Sequence, residues 1–125
     1  MPHTPAAKAL IKKRDASPTR LMEQTQTQNY LINLLTKNRH ANLKQALNDV
    51  FSGKGKPSGA HKQDNQPVLH ASSGNMQTSV TLFYYMTGGQ ATIFAMGEHR
   101  TSDSYKVSDY GQPTGTFVEG ATVTL

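Results

Sequence analysis

Cysteine is absent from this 125-residue chain, and only 35% of its residues are hydrophobic. Without cysteine there is neither a disulfide framework nor a thiolate zinc site, so any metal site would depend on histidine and carboxylate ligands. The low apolar content predicts a modest core and a part of the chain that stays extended. We therefore expect one small domain with a tail.

Long apolar runs are also missing. No run approaches the roughly 20 residues that a membrane-spanning helix needs. The short apolar patch at residues 6–11 is too weak for the hydrophobic part of a secretion signal. The sequence predicts a soluble protein with no membrane partner and a cytoplasmic site of action, and it leaves signal-independent export open.

The familiar short motifs of nucleotide and zinc chemistry are missing as well. The sequence has no phosphate-binding loop, no dinucleotide fingerprint, no nucleophile elbow and no His-Glu-x-x-His pair. Nucleotide-driven and zinc-hydrolase functions are therefore disfavoured, and we expect neither a cofactor nor a metal.

Positive charge is concentrated in the first half of the chain. Residues 1–62 contain eleven Lys and Arg against three acidic residues, whereas residues 63–125 contain two against five. Such a basic half suits a polyanion, because each phosphate contact releases condensed counterions. A solvated basic tail is the alternative.

Two helices are predicted before the strands. One runs from Ser17-Pro18 to about Asn38, and a second follows a cap at Asn42 and ends at Gly53. The second helix carries an apolar stripe on one face. The stripe consists of Leu43, Ala46, Leu47, Val50 and Phe51.

The coarse order of elements predicts an α+β domain. We expect an N-terminal helical hairpin packed on a four- to five-stranded antiparallel sheet, within a single domain of residues 18–125. Residues 1–17 should form a flexible basic tail. The Gly- and Lys-rich stretch 53–66 shows no pattern of a buried element and should be a mobile loop before a strand at 67–71.

A β-hairpin centred on Gly88-Gly89 is the clearest local prediction, because two-residue hairpin turns need positive φ. Thr87 should face Gln90, and Phe83 should face Phe94. One face would then be core, formed by Val80, Leu82, Tyr84, Met86, Ala91, Ile93 and Ala95. The opposite face, with Phe83, Tyr85, Phe94 and Met96, should be covered by further chain or serve as a ligand-binding floor.

Two histidines and their neighbours are the candidates for chemistry. His70 lies in the predicted strand at 67–71, and Glu98-His99-Arg100 ends the hairpin. RNA can be cut without metal if one group takes the 2′-OH proton, another protonates the leaving oxygen and a cation stabilises the phosphorane charge. His99 with Glu98 or His70, and Arg100 or Lys62, could fill these roles. A polar strand end is the alternative.

Substrate contacts are predicted from the basic loop and from tyrosine. Lys54, Lys56 and Lys62 precede the strand that contains His70 and could reach over a site on the sheet. Tyr85 lies on the non-core face of the hairpin and could stack on a base.

The strand end Ile93-Phe-Ala-Met-Gly-Glu-His99-Arg100, followed by Tyr105, resembles the RelE/ParE toxin superfamily. It also looks like the wider group that includes barnase and the nuclease domains of secreted bacterial toxins. The resemblance covers roughly residues 40–106, and its matching positions are His99, Arg100 and Tyr105. It implies a ribonuclease held in check by a cognate antitoxin or immunity protein.

A toxin-like ribonuclease that acts on RNA is thus the preferred hypothesis. Two alternatives remain open. One is a non-catalytic toxin or adaptor that docks a partner on the face of Phe83 and Phe94. The other is a basic nucleic-acid-binding module that uses Lys12 to Arg14 and Lys54 to Lys62.

Overall fold

Sheet dominates the fold. The computed structural model describes residues 4–12, 20–75, 77–101, 104–108 and 117–124. Two α-helices and a short 3-10 helix (Lys37–Arg39) accompany the strands. The other elements are β1 (Lys8–Ile11), α1 (Gln24–Ile32), α2 (His40–Phe51), β2 (Lys56–Gln63), β3 (Gln66–Ser73), β4 (Val80–Thr87), β5 (Gln90–His99), β6 (Ser104–Val107) and β7 (Thr122–Thr124).

One sheet contains all seven strands that the described residues form. Strands β2 to β7 follow each other in chain order and pair antiparallel, whereas β1 pairs with β5 in parallel. β5 carries two neighbours on one edge, with β1 along residues 90–93 and β6 along residues 97–99. The sheet curls so far that His61 Nε2 on β2 lies 3.0 Å from the carbonyl oxygen of Thr124 on β7. The strands therefore form a half-barrel in which the His61 side chain links the first strand of the antiparallel series, β2, to the last, β7.

The predicted helical hairpin on a four- to five-stranded sheet is wrong. The first described element is β1, and the sheet has more strands than expected. Ala9 and Ile11 of β1 are fully buried, so the flexible tail predicted for residues 1–17 does not extend over residues 8–11. Their short apolar patch forms a strand because β5 offers a free edge, which no local pattern in the sequence reveals.

The loop predicted for residues 53–66 is also wrong, because β2 occupies most of it. Asp64 and Asn65 have φ of 50° and 66°, the left-handed pair that a two-residue hairpin turn requires, and they join β2 to β3. Asp and Asn tolerate this conformation better than other non-glycine residues. β2 shows no apolar alternation because it lies at the start of the sheet and is mostly exposed.

The hairpin across Gly88-Gly89 is confirmed, and its register holds from Thr87↔Gln90 to Tyr84↔Ile93. Beyond that point a bulge intervenes, because Phe83 pairs with Ala95 and leaves Phe94 as the extra residue. Each following side chain of β5 therefore lies on the face opposite to the predicted one. Ala95 joins the inner face and Met96 joins the helix-covered face.

Two hydrophobic clusters lie on the two faces of the sheet. The outer cluster packs both helices and β1 on residues such as Leu82, Tyr84 and Ile93. The inner cluster fills the concave side of the half-barrel. It consists of Val68, Phe83, Tyr85, Phe94, Ala95, Tyr105, Val107, Phe117 and Val123. The second face of the hairpin is thus covered by further chain.

The second helix agrees with its apolar stripe, since Leu43, Ala46, Leu47 and Val50 are buried. It begins at His40, so Asn42 is not its cap. The Asn42 side chain instead donates to the Thr78 carbonyl oxygen at 2.8 Å and accepts from Ser73 Oγ at 3.0 Å. The first helix is shorter than predicted, and its expected start at Ser17-Pro18 lies outside the described residues.

Candidate functional site

Two histidine rings contact one tyrosine ring at the concave face of the sheet. The ring centroids of His99 and Tyr105 are 4.4 Å apart, and those of His70 and Tyr105 are 5.6 Å apart. Tyr105 itself is only 4% exposed and packs edge-on against Phe83. We call His70, Tyr105 and His99 the His-Tyr-His cluster.

Strand pairing brings these three residues together. His70 on β3 pairs with Phe83 on β4, and His99 on β5 pairs with Tyr105 on β6. The bulge at Phe94 contributes, because it shifts β5 by one residue and gives His99 the same face as Ala95. Without that extra residue, alternation along β5 would turn the His99 side chain toward the helices.

His70 is held in its neutral form. Burial, and then the positive charges of Lys56 and His99, lower the pKa of His70 to about 4, against an opposing hydrogen bond with the Lys56 backbone. Its Nδ1 lies 3.1 Å from Ser58 Oγ, and Ser58 is fully buried. The ring therefore has a fixed orientation and is unprotonated near pH 7.

His99 is more accessible than Tyr105 and is anchored at two points. Its backbone N–H donates to Ser79 Oγ at 2.9 Å. Its Nδ1 lies 3.2 Å from the carbonyl oxygen of Thr101. Since a carbonyl oxygen only accepts, Nδ1 carries the proton in this contact, and Nε2 is the nitrogen left to exchange a proton with a ligand.

Glu98 lies on the opposite side of the sheet from the His-Tyr-His cluster. Its Oε2 accepts from Arg39 Nη2 at 2.7 Å, and Arg39 immediately precedes α2. The structure therefore does not bring Glu98 together with the two histidines, although it is adjacent to His99 in sequence. Alternation along β5 separates them.

Arg100 follows β5 directly and its side chain is exposed. Its backbone N–H donates to the Ser104 carbonyl oxygen, at the start of β6, at 2.8 Å. Arg100 is thus an exposed cationic residue next to His99 in sequence, and a polyanion can reach it.

Of the three predicted substrate-binding lysines, Lys56 comes nearest to the cluster. Lys56 pairs with His70 in the β2–β3 register, whereas Lys62 pairs with Pro67, close to the turn at Asp64. Three residues along a strand correspond to roughly 10 Å. Lys54 is exposed and lies between α2 and β2.

Tyr85 does not offer its ring to a ligand. It is 8% exposed, and its hydroxyl donates to Asp64 Oδ2 at 2.7 Å. Burial and Asp64 raise the pKa of Tyr85 to about 12. Hydrogen bonds from Lys12 and then Tyr85 lower the pKa of Asp64. Tyr85 is thus part of a link between β4, the β2–β3 turn and the end of β1.

Two residues that contact the site were not predicted from the sequence. Ser58 belongs to the segment predicted as a loop, and it lies two residues after Lys56, which pairs with His70 on β3. Arg39 falls between the two predicted helices, and no sequence pattern indicates its contacts. The Asp64-Asn65 dipeptide followed by an apolar run was the one local signal that could have revealed β2.

Comparisons with protein-family models, curated proteins and solved structures found no match for this chain. The resemblance to RelE/ParE toxins therefore stays a prediction from the strand end and Tyr105. Among the described residues, no group of three or more His, Asp and Glu could hold a metal ion. No helix in the described part of the chain is long and apolar enough to cross a membrane.

Proposed function

We propose that the protein is a ribonuclease that cleaves RNA at the His-Tyr-His cluster by acid and base catalysis. The observation that carries the proposal is the meeting of His70 and His99 on one Tyr105 ring, from strands far apart in sequence. Two imidazoles at one surface can exchange protons with the two oxygens of a scissile phosphodiester.

His70 is the proton acceptor in this proposal. Its neutral state near pH 7 suits a base, and Ser58 and the Lys56 backbone hold the ring. The RNA 2′-oxygen loses its proton to His70 and attacks phosphorus, so that a new P–O2′ bond forms.

His99 is the proton donor. Its Nδ1–H is held by Thr101, so Nε2–H can deliver a proton to the leaving 5′-oxygen as the P–O5′ bond breaks. The products are a 2′,3′-cyclic phosphate and a 5′-hydroxyl. Lys56 beside His70 and Arg100 beside His99 supply positive charge for the phosphate oxygens that gain charge in the transition state.

The first test is incubation of the protein with RNA, alone and in a translating extract, in buffer with a chelator. We expect cleavage products that carry 2′,3′-cyclic phosphate ends. His70→Gln and His99→Gln should each reduce the rate by about 100-fold or more, since general acid and base groups each contribute on that order. RNA that stays intact under both conditions would sink the proposal.

His40→Gln is the matched control. It also removes an imidazole that contacts a carbonyl oxygen, that of Leu35 at 3.1 Å, but on the helix side. Its cleavage rate should equal that of the natural protein. An equal loss in all three variants would mean that the loss comes from the fold and not from the site.

Inhibition by protein contact has less support. Phe83 and Phe94, the proposed docking face, are fully buried in the inner cluster. Simple nucleic-acid binding has a specific observation in its favour, since Lys54, Lys56 and Lys62 are all exposed near the start of the sheet. Under this alternative, nucleic acid should bind but not be cleaved. Binding should weaken steeply with salt and should be unchanged in His99→Gln.

Cellular context follows from the ribonuclease proposal. A ribonuclease of this kind would act on RNA in the cytoplasm and would need a neutralising antitoxin or immunity protein in the cell that makes it. Overexpression of the natural protein should stop growth, and His70→Gln should relieve the arrest. Free growth on overexpression of an active enzyme would contradict the toxin proposal but not RNA cleavage.

A further inference from the structure

Arg39 makes hydrogen bonds to Glu98 on β5 and to two carbonyl oxygens of the segment that precedes β4. Its Nη1 donates to the Ser79 carbonyl oxygen at 2.6 Å, and its Nη2 donates to the Gln77 carbonyl oxygen at 2.9 Å and to Glu98 Oε2 at 2.7 Å. The Arg39 and Glu98 side chains are 21% and 28% exposed, so solvent screens this pair only in part.

Two of the three acceptors belong to residues that adjoin His99 or hold it. Glu98 is the residue before His99, and Ser79 is the residue whose hydroxyl accepts the His99 backbone N–H at 2.9 Å. Ser79 is itself fully buried. One guanidinium therefore holds the segment at 77–79 and the end of β5 at a fixed separation.

Just beyond β5, the described hydrogen bonds run from the Arg100 and Thr101 backbone N–H groups to the Ser104 carbonyl oxygen, at 2.8 and 3.3 Å, and between the Thr101 and Ser104 hydroxyls. The contacts of Arg39 add a link from the end of β5 to the segment before β4. The planar fork of arginine suits this task, because its N–H groups point in fixed directions toward several acceptors.

We infer that Arg39 is a positioning residue that sets the His99 imidazole against Tyr105 through Glu98 and Ser79, without touching substrate. The functional part of this inference rests on the proposed ribonuclease activity. The geometric part does not, since the contact between the His99 and Tyr105 rings is measurable in any case.

The test compares the natural protein with Arg39→Gln and Ser79→Ala by NMR and by RNA cleavage. Both variants should shift the His99 amide resonance and weaken the nuclear Overhauser effect (NOE) between the His99 and Tyr105 rings, while the His70–Tyr105 NOE stays. Cleavage should fall by up to about 100-fold, the order expected for a displacement of about 1 Å, mainly in kcat.

Lys37→Gln is the control for charge. Lys37 is exposed in the same 3-10 helix, so this variant removes one positive charge near Arg39 and should leave both NOEs and the cleavage rate unchanged. If Arg39→Gln does not fold, Arg39→Lys keeps the charge without the fork and should show the same NOE change to a smaller degree.

The outcomes separate the two proposals. An unchanged His99 amide and an unchanged His99–Tyr105 NOE in folded Arg39 and Ser79 variants would overturn the positioning role. Altered ring geometry in the variants, together with intact RNA in the natural protein, would uphold that role and reject the ribonuclease.

Discussion

At the scale of single residues, His70 shows how position alone changes the chemistry of a side chain. It is half-buried, lies opposite Lys56, contacts Tyr105 and feels the charge of His99, so its pKa falls to about 4. His99 is an imidazole of the same sheet, yet it is held by the Ser79 hydroxyl, which accepts from its backbone N–H, and by the Thr101 carbonyl oxygen, which contacts its ring. In the proposed mechanism, the unprotonated state of His70 is the reason for giving it the proton-accepting role.

The lowered pKa of His70 predicts a pH dependence of stability. A lowered pKa in the folded state means that the unfolded chain binds the proton more tightly. The His70 contribution is therefore complete above the ordinary pKa of 6.5 and is lost as pH falls from 6.5 toward 4. The free energy of unfolding, measured with urea between pH 4 and 7, should change less with pH for His70→Gln than for the natural protein.

His40→Gln is again the control, and its free energy of unfolding should depend on pH as that of the natural protein does. A constant difference in the free energy of unfolding between His70→Gln and the natural protein at every pH would contradict the prediction.

At the scale of elements, β5 and β6 approach each other closely at Gly97. A Cβ added at Gly97 would lie 2.6 Å from the carbonyl oxygen of Lys106, which is backbone and cannot rotate away. Tyr105 precedes Lys106, and His99 follows Gly97 by two residues. The close approach of these two strands therefore supports the ring contact between His99 and Tyr105.

Gly97→Ala should push β6 away from β5. We expect a loss of about 1–3 kcal/mol in the free energy of unfolding, as for other overpacked sites, and a weaker NOE between the His99 and Tyr105 rings. Chemical denaturation and NMR on the same sample would measure both.

Gly55→Ala is the matched control for this variant. Its added Cβ would lie 1.7 Å from the Tyr84 hydroxyl oxygen, in the outer cluster and away from β6. It should destabilise the protein but leave the His99–Tyr105 NOE intact. If both variants weakened the NOE alike, the weakening would reflect general loosening and not strand separation.

At the scale of the whole molecule, side chains on the concave side close the curled sheet at two places. His61 joins β2 to Thr124 on β7 and also packs edge-on against Phe117. Elsewhere, Asp64 in the β2–β3 turn binds Lys12 after β1 and Tyr85 on β4. These contacts hold the first strands of the sheet over the inner cluster, which would otherwise face water.

His61→Ala should loosen the join between the two ends of the sheet. The substitution removes one hydrogen bond and one aromatic contact, which together are worth about 1–2 kcal/mol. Hydrogen exchange should become faster for the amides of β7 while those of β4 keep their protection. His40→Ala, which removes a similar imidazole–carbonyl contact, should not change exchange in β7; an unchanged β7 in His61→Ala would refute the closure.

Local features of the sequence were sufficient for part of this architecture. Gly88-Gly89 determined the β4–β5 hairpin, because positive φ at both positions suits a primed turn, here 55° and 82°. The 3.6-residue spacing of Leu43, Leu47 and Val50 determined the buried face of α2. Both depend on interactions between residues close in sequence.

Long-range pairing decided the rest. β1 and β2 have little apolar alternation. They become strands because their backbones pair with those of β5 and β3, respectively. The bulge at Phe94 then reversed the faces of Ala95 and Met96, and with them the side of the sheet to which His99 points. A one-residue shift changes every later side chain of a strand.

The sequence by itself therefore determined which chemical groups stand at the end of the hairpin, namely Glu98, His99 and Arg100. Only the tertiary structure decided that His99 meets His70 across Tyr105, while Glu98 turns away to Arg39. The physical reason is that composition and turns are local properties. The face to which a side chain points depends on a register set by strands distant in sequence.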